Sequence, residues 1–331
     1  MASTYLTLVN NVLRDMNEVE LTSSSFTSSR GVQTTVKDYI NRSISDILNA
    51  EINWPFTRAE GSVDAIAGKQ LYSFASIAST LKYIDYDNVF LMPKDYITNG
   101  DFEISGSASI TNWATISGSP AASSKFGNTL LLTSAKSSQE VEDLIVGKSY
   151  VILIQTSGAT LTLDVGTSSG GTQTKTTTLT IASGNEVLLS EVTFTATATT
   201  HYVTFTESAG ATAYVKLVQL AENITPIGLK YISYEEYSER YRERDSRPDT
   251  DKFSDPEFIY TTYNDEIGLS PIPDTSNRTI KFDYYTSNVD LSAHGDTSII
   301  PTRFESVINA RAKYYTYMFR SDVQTAQYAL K

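Results

Sequence analysis

Apolar side chains recur at helical spacing near the start of the chain. From Tyr5 they occupy positions i, i+3, i+4, i+7, i+8 and i+11, which predicts a helix with one apolar stripe. Ser3 or Thr4 is the expected N-cap, because a hydroxyl there can accept a hydrogen bond from the first turn. A second stripe predicts a helix over 31–50. Pro55 follows it, and proline disfavours a helical conformation in the residue before it.

A third helical pattern closes the sequence. Pro301 predicts the start of a long final helix, since proline is tolerated in a first turn. One face of this helix is predicted to consist of Phe304, Val307, Ile308, Ala312 and Tyr315.

Shorter patterns with a period of two predict strands in the two terminal parts of the chain, which also contain the predicted helices and are called the flanks below. A hairpin is expected over 257–270, with its turn at Asn264-Asp265-Glu266. The other predicted strands cover 70–74, 81–92 and 279–285.

The middle of the chain has a different pattern. Short alternating runs are separated by turn signals every 8–15 residues, which is typical of a β-sandwich or jelly roll. The clearest runs are 150–154, 160–165, 192–194, 201–205 and 213–218.

Composition shifts at the same places. Residues 97–222 contain 40 Ser plus Thr but only 15 charged residues, and 12 of the 21 tyrosines lie in the last 109 residues. We therefore predict an α+β chain in which residues 1–96 plus 223–331 form one domain and 97–222 form an inserted one. The outer domain is expected to be helical, with a small antiparallel sheet and a long C-terminal helix. The insertion is expected to be an all-β sandwich.

Charge and residue types exclude several functions. The net charge of −12 argues against a general nucleic-acid binder, which needs a cationic face. The absence of cysteine excludes thiolate metal sites and cysteine nucleophiles, and two histidines exclude a His-rich metal site. No apolar run approaches the roughly 20 residues that span a bilayer. We expect no cofactor, no metal and no membrane partner.

Two common catalytic motifs are missing, because Walker-type and HExxH patterns do not occur. The glycine-rich stretch 166–171 is interpreted as a hairpin turn, His294 as a surface residue, and the acidic residues of loop 245–256 (Asp245, Asp249, Asp251 and Asp255) as solvated. The chain is expected not to be an enzyme.

The middle block resembles jelly-roll carbohydrate-binding modules. The resemblance rests on Asn99-Gly100-Asp101-Phe102-Glu103, on Asn112-Trp113, and on Val146-Gly147-Lys148-Ser149-Tyr150. It implies the sandwich fold, with Trp113 and Phe126 as candidate glycan contacts. Packing inside the sandwich is the alternative role for these aromatic side chains. The stretch 214–218 has lysine and leucine where the family has acidic calcium ligands, so no calcium is expected.

The flanks resemble the tail-tubular-protein-A-like head–tail connector adaptors of tailed bacteriophages. The order of elements carries this resemblance: the opening helix with Leu8-Val9-Asn10-Asn11, then Asn53-Trp54-Pro55-Phe56, then a hairpin with Gly268-Leu269-Ser270-Pro271, then a strand at 280–285, and finally the helix after Pro301.

That resemblance implies a virion structural protein at the head–tail junction, assembled in the host cytoplasm. The expected partners are further copies in a twelve-membered ring, the portal protein, a tail tube or nozzle protein, and tail fibres. Genomic DNA would pass through the channel without specific binding.

The final helix is the predicted portal-docking element. Its candidate docking residues are Arg311, Lys313, Tyr314, Tyr317, Phe319 and Arg320. The alternative function is a carbohydrate-binding or adhesion protein of the phage tail that acts through the jelly roll. A glycan-active enzyme is a more distant alternative.

Overall fold

The computed structural model describes residues 3–103, 110–180, 187–247, 254–320 and 323–329. The helices are α1 (Tyr5–Asp15), α2 (Val32–Ala50), α3 (Phe74–Ile77), α4 (Tyr234–Arg240), α5 (Arg242–Asp245), α6 (Glu305–Phe319) and α7 (Val323–Ala329). The strands are β1 (Arg58–Asp64), β2 (Leu71–Ser73), β3 (Leu81–Pro93), β4 (Ala114–Ser117), β5 (Ala121–Ser123), β6 (Thr129–Leu132), β7 (Lys136–Val141), β8 (Ser149–Gly158), β9 (Leu161–Gly166), β10 (Lys175–Leu179), β11 (Leu188–Thr195), β12 (His201–Thr206), β13 (Ala213–Glu222), β14 (Ile227–Gly228), β15 (Lys230–Tyr231), β16 (Phe258–Thr261), β17 (Glu266–Ser270) and β18 (Arg278–Thr286).

Helices α1, α2 and α6 pack around one apolar core. The stripe predicted from Tyr5 is buried, and the Thr4 hydroxyl accepts a hydrogen bond from the Thr7 N–H at 3.3 Å, which confirms the predicted cap. Ile40 and Ile44 of α2 and Ile308 of α6 complete the core. Burying such side chains is the main source of helix stability in a bundle of this size.

Two four-stranded sheets lie beside the helices. Their strand orders are β1-β18-β3-β14 and β15-β16-β17-β2. Ile84 and Phe282 from the first sheet and Ile259 and Leu269 from the second belong to one buried cluster, so the sheets pack face to face. The predicted hairpin is confirmed, because β16 pairs antiparallel with β17.

The middle block forms a β-sandwich. Its five-stranded antiparallel sheets have the orders β10-β9-β12-β7-β4 and β11-β8-β13-β6-β5. Burial alternates along β8 and in the second half of β11, and Tyr150, Phe194 and Phe205 are among the largest side chains in the shared core.

The predicted fold class is wrong. The chain is mostly β, with 37% strand and 23% helix, and it is not a helical adaptor domain with an insertion. The flanks contain two four-stranded sheets with their own core, where one small sheet was expected. Strands β1, β14 and β15 were not predicted, and the charged and small residues of β1 contain no apolar run that predicts a strand.

Candidate functional site

The final helix places its predicted docking cations against the rest of the helical bundle. Arg311 Nε lies 2.9 Å from Asp46 Oδ2 on α2, and Lys313 forms an ion pair with Asp15 at the end of α1. Arg320 pairs with Glu18 in the loop after α1. Each of the three cations therefore has a partner within the chain.

Asp46 binds two residues of the final helix. Its carboxylate accepts hydrogen bonds from Arg311 and from the Tyr315 hydroxyl. Partial burial alone would raise the pKa of Asp46. The two hydrogen bonds, together with the positive charges of Arg311 and Arg42, outweigh burial and hold the pKa below its usual range. The carboxylate is thus ionised at neutral pH and ties α2 to α6.

The three predicted docking aromatics do not share one environment. Tyr317 packs against the helical core, Tyr314 is half-buried beside Tyr315, and Phe319 is 58% exposed. The six predicted residues therefore do not form one continuous exposed surface.

The exposed face of the final helix consists mainly of other residues. Phe304 and Val307 were predicted to share one face with Ile308 and Ala312, but they are 41% and 48% exposed whereas Ile308 and Ala312 are buried. Phe304 and Val307 share one face with Tyr314 and Met318, because spacings of three, seven and four residues return to the same side of a helix. We call Phe304, Val307, Tyr314 and Met318 the outer helix surface. This spacing was readable from the sequence, but nothing in it showed which side faces solvent.

An apolar slot adjoins the outer helix surface. It has a volume of about 130 Å³, and its lining is nearly all apolar. Trp54 and Phe56 stack with ring centroids 5.4 Å apart on one side of it. The lining residues are Ile47, Trp54, Phe56, Ile300, Phe304 and Val307.

In the sandwich, the motif that resembles carbohydrate-binding modules forms a structural turn. The Asn99 side chain accepts the Glu103 N–H at 2.7 Å, and the Trp113 indole donates to the Asn99 carbonyl at 3.2 Å. Trp113 is buried among core aromatics that include Phe102. This motif therefore stabilises the fold, and most of the Trp113 ring is withdrawn from solvent.

Phe126, the other candidate glycan contact, lies in a loop on the opposite sheet. Its ring packs edge-on against Tyr214, at a centroid distance of 5.6 Å. Lys125 places its ammonium 5.0 Å from the Phe126 ring and 4.7 Å from the Tyr214 ring. The structure does not bring Phe126 and Trp113 together.

A cleft of about 380 Å³ opens on the outer face of the sheet that contains β7 and β12. Tyr202 donates its hydroxyl to Glu140 at 2.7 Å at the edge of this cleft. That hydrogen bond raises the pKa of Tyr202 above its ordinary value. The lining residues are Asn112, Trp113, Ala114, Ser138, Glu140, Ser169 and Tyr202. The sequence analysis named Trp113 but missed Tyr202 and Glu140, which are far apart in the chain and meet only through strand pairing.

The other polar residues and the glycine-rich stretch named in the sequence analysis do not form a candidate site in the described part of the chain. Asp245 is buried and accepts hydrogen bonds from Ser270 at 2.7 Å and Arg244 at 3.0 Å, so its interpretation as a solvated residue is wrong. Asp249 and Asp251 lie outside the described residues. His294 lies in an exposed loop, and residues 166–171 connect β9 to β10 as the predicted turn.

Two kinds of feature are absent from the described part of the chain. No group of three or more His, Asp or Glu side chains there could hold a metal ion. In the same ranges, no helix has the length and hydropathy needed to cross a membrane.

Comparison with known families identifies one relationship. The model of the family described as SU10 adaptor protein matches residues 174–331, just under half of the chain. The match begins within the sandwich, before β10, and runs through the hairpin and the final helices. It indicates a phage structural protein, that is, a component of a virion.

Solved structures resemble parts of the chain, with low TM-scores. The enzymatically active domain of tailspike protein 4 from bacteriophage CBA120 is 13% identical, with a TM-score of 0.33, and the match covers 39% of this chain and 21% of that one. TmCBM61 in complex with β-1,4-galactotriose is 17% identical (TM-score 0.31; 39% and 99% covered). A family 16 carbohydrate-binding module is 14% identical (TM-score 0.31; 38% and 99% covered). No curated protein matches the chain.

Proposed function

We propose that the protein is an adaptor that forms a ring between the portal and the tail of a tailed bacteriophage. The match of residues 174–331 to an adaptor family is the observation that carries this proposal. The role is assembly and involves no chemistry. Twelve copies, a portal protein above and a tail tube or nozzle protein below are the proposed partners.

The outer helix surface is the proposed contact with the portal. It is mostly apolar, and it continues into the slot beside Trp54 and Phe56. Exposed apolar side chains in one patch are typical of a protein interface. Arg311, Lys313 and Arg320 would support this surface from within the bundle through their pairs with Asp46, Asp15 and Glu18.

The sandwich is proposed to project away from the channel. A block of 126 residues placed inward would crowd the DNA path. The net charge of −12 is compatible with a channel through which DNA passes without specific binding. Facing outward, the sandwich could contact tail fibres.

Point variants on the outer helix surface test the docking proposal. Val307→Asp with Met318→Asp places two charges on exposed positions, so the bundle should fold while attachment to purified portal rings is lost. Val146→Asp, at an exposed position of the sandwich, is the matched control and should attach normally. Normal attachment of the double variant would contradict docking through this helix. Deleting residues 301–331 is a poorer test, because it also removes Ile308 and Ala312 from the core.

The cleft beside Tyr202 supports a second candidate function, glycan binding by the sandwich. An aromatic ring next to carboxylate, amide and hydroxyl groups offers both the apolar face and the hydrogen bonds that a sugar ring requires. A glycan-array screen of the full chain tests this candidate. Signal that disappears in Tyr202→Ala and in Glu140→Gln would support it, and absence of any signal would exclude it.

A further inference from the structure

Two segments of the chain connect the sandwich to the four-stranded sheets. We call residues 94–97 and 220–226 the crossing segments. They bind each other directly: the Tyr96 N–H donates to the Leu220 carbonyl at 2.8 Å, and the Leu220 N–H donates to Asp95 Oδ1 at 3.0 Å. The connection is therefore a hydrogen-bonded pair of segments, which is stiffer than two independent linkers.

Asn277, just before β18, and Arg278, its first residue, bind both crossing segments. The Asn277 carbonyl accepts the Lys94 N–H at 2.9 Å, and the Asn277 side-chain amide donates to Glu222. Arg278 Nη1 donates to the Thr225 carbonyl at 2.8 Å. Asn277 and Arg278 thus link the β1-β18-β3-β14 sheet to each connection.

These contacts are buried. Glu222, Asn277 and Arg278 are all less than a tenth exposed. The Arg278 guanidinium is paired with Asp255 at 2.7 Å, and the second oxygen of Glu222 lies 3.5 Å from the Lys148 ammonium of the sandwich. Losing one member of a buried polar set leaves its partners unpaired, so the arrangement strongly favours one geometry.

The sandwich also anchors its own end of the connection. The Asn223 N–H donates to the Ser149 carbonyl at 2.8 Å, and the Tyr96 ring packs edge-on against the Tyr150 ring at 5.7 Å. Motion of the sandwich against the sheets must therefore occur between these anchors and the contacts of Asn277 and Arg278.

Room for such motion exists on one side. A crevice of about 240 Å³ separates the two parts, with Met92, Pro93 and Lys281 on the sheet side and Val151, Leu153 and Gln219 on the sandwich side. Closing this space would bring the two walls together. Glu222, which accepts the hydrogen bond from Asn277, also lines this crevice.

We propose that Asn277 and Arg278 form a latch that holds the sandwich at one angle to the four-stranded sheets. Without the latch, the sandwich swings on the crossing segments toward the crevice, while both cores stay folded. This inference goes beyond the proposed adaptor function and holds whether or not the chain assembles into a ring. In a ring, the latch would make every copy present its sandwich in the same direction.

Distance measurements between two spin labels test the latch. The chain has no cysteine, so Leu189→Cys on the sandwich and Val289→Cys outside it, both at exposed positions, can be labelled uniquely. The labelled protein should give a narrow distance distribution. Asn277→Ala and Arg278→Gln should broaden it, with an unchanged far-ultraviolet circular dichroism spectrum.

Asn88→Ala is the matched control, because it removes an exposed asparagine that binds only Asp85 within the sheet. It should leave the distribution narrow. If Asn277→Ala fails to fold, Asn277→Ser removes the same amide contact with a smaller change in polarity. A distribution that stays as narrow in the folded latch variants as in the control would overturn the proposal.

Discussion

Gly100 lies so close to Val218 that no other residue fits at its position. A Cβ atom at Gly100 would lie 2.0 Å from the Val218 carbonyl oxygen, and the Val218 N–H donates to the Gly100 carbonyl at 2.8 Å. This contact joins the turn at residues 99–103 to β13, and backbone groups on both sides leave little room for adjustment.

Gly100→Ala should therefore destabilise the sandwich. Relief of the clash requires a backbone shift, for which about 1–3 kcal/mol is typical of overpacked sites. Gly228→Ala is the control, because its Cβ would meet only Phe90, at 3.9 Å. Urea unfolding of both variants measures the difference, and equal stabilities would contradict the structural role of this turn.

A second glycine permits an aromatic stack between α4 and β16. A Cβ at Gly268 would lie 2.1 Å from the Tyr260 ring, which stacks on Tyr237 with centroids 3.9 Å apart. Gly268→Ala should displace Tyr260 from Tyr237, with loss of stability and of the near-ultraviolet circular dichroism signal of ordered tyrosines. An unchanged spectrum would show that the stack does not depend on this glycine.

Stability of the sandwich should decrease as the pH falls below neutral. Burial lowers the pKa of His201 below its ordinary value, so the folded state keeps this ring neutral. In the unfolded chain the His201 ring binds a proton below about pH 6.5. This protonation stabilises the unfolded state, so it opposes folding as the pH decreases further. The contribution of the neutral His201 ring to folding stability is thus fully present above that pH and is progressively lost below it.

Thermal unfolding between about pH 7.5 and about pH 5.5 measures this effect. His201→Gln should flatten the dependence, and its absolute stability should differ because the contacts with Thr197 and Phe194 change. His294→Gln, in an exposed loop, should retain the full dependence. The same slope in all three proteins would exclude His201 as its source.

Arg311 should contribute to stability through Asp46. Arg311→Ala removes a half-exposed ion pair, and such pairs contribute about 0.2–1 kcal/mol. We expect the upper part of that range because Asp46 also binds Tyr315. Arg240→Ala, which breaks an exposed i,i+4 pair with Glu236, should lose less. A larger loss for Arg240→Ala would contradict a special role for Asp46.

Local patterns predicted many elements well. Helix α1 begins at Tyr5 and α2 spans 32–50, because their apolar stripes and flanking residues agree. The hairpin and β18 also lie where alternation placed them. The division into 1–96 plus 223–331 and 97–222 stays a prediction.

Long-range contacts could not be predicted. In β1, the inward residues Ala59, Gly61 and Val63 are small because the Phe282 ring fills the space beside Gly61, so this strand lacks the usual apolar signal. The sequence also does not show that Arg311 and Lys313 of α6 form ion pairs with acidic residues of α2 and α1. The residues of the sandwich cleft were missed for a similar reason, since only strand pairing brings Tyr202 opposite Glu140.

The mass of the purified protein, alone and mixed with its portal, tests the adaptor proposal most directly. Light scattering combined with negative-stain imaging gives the mass and shows the shape of the particles. The proposal predicts a closed ring, formed by the protein alone or on the portal. A monomer that does not bind the portal would contradict it.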